Sequence, residues 1–340
     1  MPCLYENFMF LSLYNILVVS FLVFLITVHF LNEKKIKMSK QTLNQWIIAT
    51  RPQFVTVIIL PILLGTAIAW HLNNVFFPLY FGLSLIAGVF VEAGINLLND
   101  YFDHLNKSDE FNKNPLSPFA GGSRMIQKGI FSHTTMYRYG LVLLMIAISI
   151  GLFLVWARGL PLLWIGLIGV LSGYLYSAPP FFLQSRGLGE LLVGLNFGLL
   201  AVLGAYYVQT QEISIVAAIA ALPLTFLVAA IVYINEFPDY HSDKQAGKNT
   251  LIVRLGQKRA RPIYALLIGL SFIAIVLGVI YEKLPYYSLV TLLTLPLGYF
   301  AIKTLYAFYD KKTALIPAIK NTIMLHTLVS ILVILTFIIN

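Results

Sequence analysis

This 340-residue chain has one cysteine, Cys3, so it can form no intrachain disulfide and no multi-thiolate metal site. Charge is also sparse. Asp, Glu, Lys and Arg make up 11% of the residues, where soluble domains carry about 25%. Acidic residues number only 14. So little charge cannot cover a water-facing surface, which excludes an ordinary soluble protein. Basic faces interleaved with aromatic platforms are missing outside the apolar runs, so the net charge of +9 does not point to nucleic acid. There is also no low-complexity tract and no separate soluble domain.

In their place stands 59% hydrophobic residues and a mean hydropathy of +0.83. Apolar runs of about 20 residues, long enough to cross a hydrocarbon core, recur along the whole chain. They fall at roughly residues 9–31, 53–71, 76–98, 136–157, 160–178, 190–208, 213–234, 262–281, 285–308 and 318–339. The pattern predicts an all-α integral membrane protein with nine helices in a single domain over 38–340. Residues 1–37 form an extra apolar segment, read either as an additional transmembrane helix or as residues ahead of a true start at Met38. A signal peptide fits them less well, because no Lys or Arg precedes the apolar run and no small-residue cleavage site follows it. No catalytic role is expected there.

Basic residues orient the bundle. Of 23 Lys and Arg, all but Arg158 and Lys283 fall at one set of span ends, which the positive-inside rule makes cytoplasmic. Acidic residues gather at the same ends. Five of the six aspartates lie in two segments, 96-NLLNDYFDHLNKSDE-110 and 235-NEFPDYHSDKQAGKNTLIVRLG-256, leaving only Asp310 elsewhere. Asn235, Asp239 and Asp243 are spaced by four, which on a continuous helix places them on one narrow face. Asn99 and Asp103 repeat that step, and Asp109 follows a break expected at 106–108. Like charges so arranged repel each other, and near hydrocarbon the cost grows, so a cation must offset it. Carboxylates with an Asn carbonyl suit a hard ion such as Mg²⁺, which takes its remaining ligands from water and phosphate. A solvated charged loop is the alternative for either cluster alone; the repeated Asn-x-x-x-Asp step at two span ends argues against it. An ion or metabolite transporter is the alternative for the pair, although transporter carboxylates lie mid-span.

Through 99-NDYFDHLNKSD-109, 121-GGSRMIQKG-129, 174-YLYSAPPFFLQSRGLGEL-191 and the second segment, residues 44–340 resemble the UbiA superfamily of intramembrane prenyltransferases. The ending A-G-K-x-T-L-x-V-R-L-G is similar to the branch holding the 1,4-dihydroxy-2-naphthoate polyprenyltransferases of menaquinone synthesis. That branch often has Gly-Pro-Leu-Arg where this chain has 121-GGSR-124. The resemblance implies Mg²⁺-dependent transfer of a polyprenyl group from its diphosphate to an aromatic acceptor, at the cytoplasmic face of a bacterial inner membrane. Other acceptors in the superfamily include 4-hydroxybenzoate, archaeal ether-lipid precursors, haem and chlorophyll.

Carried onto this chain, Asn99, Asp103 and Asp109 hold one ion, and Asn235, Asp239 and Asp243 the other. Asp100 either joins the first set or supports it. Arg124 and Lys128 are the leading diphosphate contacts, followed by Lys244, Lys248 and Arg51, since cations placed where charge develops ease departure of the diphosphate. Lys258, Arg259, Arg261, Lys311 and Lys312 read as topology-setting surface charges. Arg186, whose guanidinium fork suits a carboxylate, is expected to meet the acceptor. Tyr174 and Tyr176 either face the allylic cation or are interfacial tyrosines.

Overall fold

The structure, a computed structural model, describes residues 42–116 and 118–339; the extra apolar segment in 1–37 lies outside them. All regular structure among the described residues is helical. An entry helix α1 (Leu43–Ala49) opens where the Gln45 side chain accepts the Thr42 N–H at 2.9 Å. The spans follow as α2 (Thr56–Asn73) and α3 (Pro78–Leu105), a short α4 (Ser108–Phe111), then α5 (His133–Arg158), α6 (Pro161–Ser177), α7 (Gly189–Thr210) and α8 (Ile215–Glu236). Two short helices, α9 (Tyr240–Gln245) and α10 (Leu251–Leu255), lead to α11 (Gln257–Ile280), α12 (Leu295–Phe308, after a 3₁₀ stretch Tyr286–Thr294) and α13 (Ile316–Ile339). Eight of these spans are long and apolar enough to cross a membrane, and α6 is a ninth apolar helix of 17 residues. The protein is an integral membrane protein of the expected helical class.

Local chemistry sets the boundaries. Proline opens α3 and α6, where its missing N–H has no partner to lose. Ser132 and Ser214 cap α5 and α8 by accepting the Thr135 and Ala217 N–H groups. Helix α8 is lined with Ala, Leu and Val and lies at the centre, its buried residues packing against α2, α7, α11 and α13. Close approach needs small residues: a Cβ on Gly65 of α2 would come within 2.3 Å of the Val202 carbonyl oxygen on α7.

Two boundaries matter for function. Helix α3 runs seven residues beyond its expected end, so Asn99 and Asp103 ride on a span, and the chain turns at Asn106 and left-handed Lys107 (φ 68°) before α4 presents Asp109. The second cluster departs from expectation. Asn235, Asp239 and Asp243 do not share one uninterrupted helix face, because α8 stops at Glu236 and α9 starts at Tyr240. Pro238, in the intervening turn, has no N–H to continue the helix.

Candidate active site

Both aspartate segments, the 178–188 turn and the 309–315 connection meet at one end of the bundle. At the other end Arg158 donates to the Val208 and Gln209 carbonyls at 2.6 and 2.7 Å, and its guanidinium lies over Phe77 and Tyr80. The first end opens into a cavity of about 190 Å³ lined by Asn99, Asp103 and Asp109 from one side of the sequence and Asn235, Asp239 and Asp243 from the other. Their convergence is bonded directly: Asn112 Nδ2, beside α4, donates to Asp239 Oδ1 at 2.8 Å.

Each aspartate of the two segments faces a cation. Lys248 Nζ lies 3.1 Å from Asp103 Oδ2 and 3.9 Å from Asp243 Oδ1, tying the two clusters together. Arg124 Nη1 donates to the Asp109 carbonyl at 2.6 Å and lies 3.7 Å from its carboxylate. Lys312 Nζ lies 3.9 Å from Asp239 and donates to Asn112 Oδ1 at 2.6 Å. Arg51 pairs with Asp100 and donates to Asn99 Oδ1 at 3.2 Å. Asp100 also accepts the Ser123 N–H and hydroxyl, so it anchors Arg51 and the 121–124 loop at the cavity wall. In that loop Gly122 (φ 76°) leaves room no other residue would: a Cβ there would meet Asp100 Oδ1 and Asp109 Oδ2 at 3.0 Å each.

Burial dominates the electrostatics. It pushes the Asp243 carboxyl up to about 7 despite Lys248, and raises Asp239 despite Lys312. Asp109 rises well above the usual carboxylate range through burial, reinforced by Asp103 and Asp100. Burial alone would lower Lys248, but Asp103 and Asp243 hold its ammonium well above its ordinary value.

The donor set fits a divalent metal. The four Asp carboxylates and two Asn side chains of the clusters line one cavity, and the buried Asn235 Oδ1 has no hydrogen-bond partner. Among the described residues no three Asp, Glu, His or Cys side chains close around a single point. Each cluster offers two carboxylates and one Asn side chain, so waters and phosphate oxygens would have to complete the shell of a hard cation.

The other residues read from the sequence divide. Arg51 and Tyr176 line the cavity, and Arg124 borders it through Asp109. Tyr174 lies outside the lining and packs edge-on against Phe102 at 5.9 Å. Lys128 is exposed, and Lys244 is exposed near the Tyr240 ring. Arg186 is exposed as well, donating to the Phe181 and Pro180 carbonyls of its own turn at 2.6 and 3.4 Å. From that turn it is Gln184 that reaches inward, donating to Asp103 Oδ1 at 3.3 Å. Lys312, expected as a surface charge, instead joins the Asp239 end of the cavity, brought there by the α12–α13 connection. Sequence reasoning also passed over Glu92, although it is the one charged residue in the 76–98 run and an intramembrane acid is itself a signal.

A second cavity, of about 490 Å³, is almost wholly apolar and lies among α2, α3, α5, α6 and α7. Ile95, Asn196 and Phe197 line both cavities, so the cavity that holds the clusters adjoins an oily one.

A membrane-embedded helical bundle that sets two Asn/Asp clusters beside an apolar chamber suits an enzyme whose substrate has a charged head and an oily tail. The UbiA prenyltransferase family matches residues 58–329, and the chain belongs to that family; it is a prenyltransferase. It is 30% identical over 258 residues to a 1,4-dihydroxy-2-naphthoate octaprenyltransferase of Escherichia coli, covering 74% of this chain and 82% of that protein. It is 28% identical over 271 residues to a 2-carboxy-1,4-naphthoquinone phytyltransferase of Synechocystis, covering 79% and 85%. The fold is that of a UbiA homologue from Archaeoglobus fulgidus solved bound to DMAPP and Mg²⁺, with a TM-score of 0.61, 18% identity, and 85% of this chain and 99% of that one covered. Family membership sets the transporter alternative aside.

Proposed function

We propose that this enzyme transfers a polyprenyl group from its diphosphate to 1,4-dihydroxy-2-naphthoate, with Mg²⁺, at the cytoplasmic face of a bacterial inner membrane. The observation that carries this reading is the convergence of both Asn/Asp clusters on one cavity that adjoins an apolar chamber. The naphthoate-handling relatives support the acceptor, and the basic residues at the site's end of the bundle support the orientation.

Asn99, Asp103 and Asp109 would hold one Mg²⁺, and Asn235, Asp239 and Asp243 a second. Bound there, the metal would supply positive charge against that growing on the departing diphosphate. Lys248, Arg124 and Lys312 sit where they can turn from the carboxylates to phosphate oxygens, adding donors that strengthen as the C–O bond breaks. The apolar chamber takes the isoprenoid tail and keeps water from the allylic carbon. An electron-rich ring carbon then bonds to that carbon, and the naphthoate loses its carboxylate.

Membranes bearing the enzyme, labelled geranylgeranyl diphosphate and Mg²⁺, offered a panel of acceptors, test the proposal by mass of the lipid product. Prenylated, decarboxylated naphthalenediol is expected. Product only with 4-hydroxybenzoate would reassign the acceptor, and no lipid product with any acceptor would overturn the reading.

Metal binding is expected to release protons. The metal-free fold favours protonated Asp243, whose carboxyl stands raised at about 7 against an ordinary 3.8, so its stabilising share is present at low pH and lost as pH rises through about 7. Because the metal binds the carboxylate, its apparent affinity should climb with pH up to about 7 and then level off. Calorimetry at about pH 6 in buffers of different ionisation enthalpy should register the released proton; a buffer-independent heat would contradict it.

A further inference from the structure

Two cavity carboxylates stand outside the Asn/Asp sets: Glu236, beside Asn235 where α8 ends, and Glu92, far from either helix end. Glu92 lies inside the span α3, is 5% exposed and lines the cavity that holds the clusters. Residues 92, 96, 99 and 103 follow the i, i+4, i+7, i+11 pattern of one helix ridge, so Glu92 extends the line drawn by Asn96, Asn99 and Asp103. At 1.5 Å per residue it lies about 10 Å deeper than Asn99. That depth is where the two cavities adjoin: its neighbours Val91 and Ile95 line the apolar chamber, and Ile95 and Asn96 line the one that holds the clusters.

Its partners are few. The carboxylate accepts one long hydrogen bond, 3.5 Å from Asn96 Nδ2, and that amide also donates to the Thr50 carbonyl at 3.2 Å. Among the described residues no Lys, Arg or His nitrogen lies within 4.0 Å of it, whereas Asp100, Asp103, Asp109, Asp239 and Asp243 all have one. An acid within a membrane span is costly, and its presence there marks a functional position. On the reading above, a diphosphate held between the Asn/Asp clusters with its tail in the apolar chamber would place the allylic carbon between the clusters and Glu92. A ring attacking that carbon must enter the same stretch. Ser172 and Asn196, joined at 2.7 Å, also line the cavity and offer a further polar contact to such a ring.

We infer that Glu92 is the group that receives the hydroxyl proton of the aromatic acceptor as the new carbon–carbon bond forms, an inference that rests on the acceptor-prenylation reading above. The donor's C1–O bond breaks and its electron pair leaves with diphosphate. A ring carbon bonds to C1 with its π electrons while the hydroxyl O–H pair becomes the second bond of a C=O, its proton passing to Glu92. Loss of CO₂ from the attacked carbon returns that C–C pair to the ring, and the oxygen takes the proton back. Glu92 ends as it began, and no oxidant or reductant is consumed.

The test uses the full chain in lipid nanodiscs with Mg²⁺, geranylgeranyl diphosphate and ring-fluorinated acceptors of graded hydroxyl acidity. Glu92→Gln, nearly identical in shape, should lower kcat about 10²-fold. KM for the donor should stay within twofold, and Glu92→Asp should recover part of the rate. The loss should shrink as the acceptor hydroxyl becomes more acidic, which a purely structural role would not produce. Wild-type kcat in Glu92→Gln, or an equal loss across the acceptor series, would overturn the inference while leaving the prenyl-transfer reading intact. A wild-type enzyme that prenylates no hydroxyarene would overturn the reading itself.

Discussion

Asp103→Ala is expected to lower kcat about 10³-fold or more and to raise the Mg²⁺ concentration needed for half-maximal rate. Removing one preorganised group at a site of developing charge typically costs about 10²–10³-fold. Asp103 should exceed that, because it both faces the metal position and organises its surroundings. Its carboxylate accepts from Lys248, Gln184, Asn106 and Asn99, drawn from both clusters and from the 178–188 turn. Asp239→Ala, on the opposite wall, should cost a similar factor. The double variant should fall little further, since groups that act on one leaving group are not additive. Asp310, exposed in the α12–α13 connection, is the control: Asp310→Ala should keep its rate within twofold. Lipid-soluble product counted from labelled donor across a Mg²⁺ series measures all four variants. Product at wild-type rate from both Asp103→Ala and Asp239→Ala would refute the site.

Lys248→Met should damage the enzyme in two separable ways. The ammonium is shared by Asp103 and Asp243, and its side chain is only 12% exposed. Without it, two buried carboxylates lose their counter-ion, and breaking such a pair costs about 3–5 kcal/mol when the remaining charge is uncompensated. The melting temperature in EDTA should therefore fall by several degrees, and Mg²⁺ should restore part of the loss by binding the freed carboxylates. Turnover should fall about 10²-fold even at saturating Mg²⁺, because a cation that would follow the charge onto the diphosphate has gone. An unchanged melting temperature in EDTA would mean that the lysine is not holding the clusters together.

The same residues show how far a single sequence can be read. Spans were legible because each must present about 20 apolar residues to lipid, whatever its neighbours do. Five aspartates in two short segments of an oily chain were legible for the opposite reason, since charge beside hydrocarbon needs a cause. Lys312 was not. Nothing near it in the chain distinguishes it from Lys311, and its partners Asn112 and Asp239 are 200 and 73 positions away. The 178–188 turn shows the same limit: Arg186 carries the charge, yet its own carbonyls satisfy the guanidinium, and uncharged Gln184 is the side chain turned toward Asp103. The step of four in the second cluster suggested one helical face, and Pro238 broke that face without separating its residues in space.

By itself the sequence determined the membrane class, the helical architecture and the two acidic clusters, because these depend on composition and local spacing that every chain segment must satisfy alone. Only the tertiary structure decided which cation faces which carboxylate, that Asn112 bridges the clusters, and that Glu92 stands where the clusters' cavity adjoins the apolar one. Those relations join helices distant in the chain, and packing, rather than any local preference of the backbone, sets which side chains share a cavity.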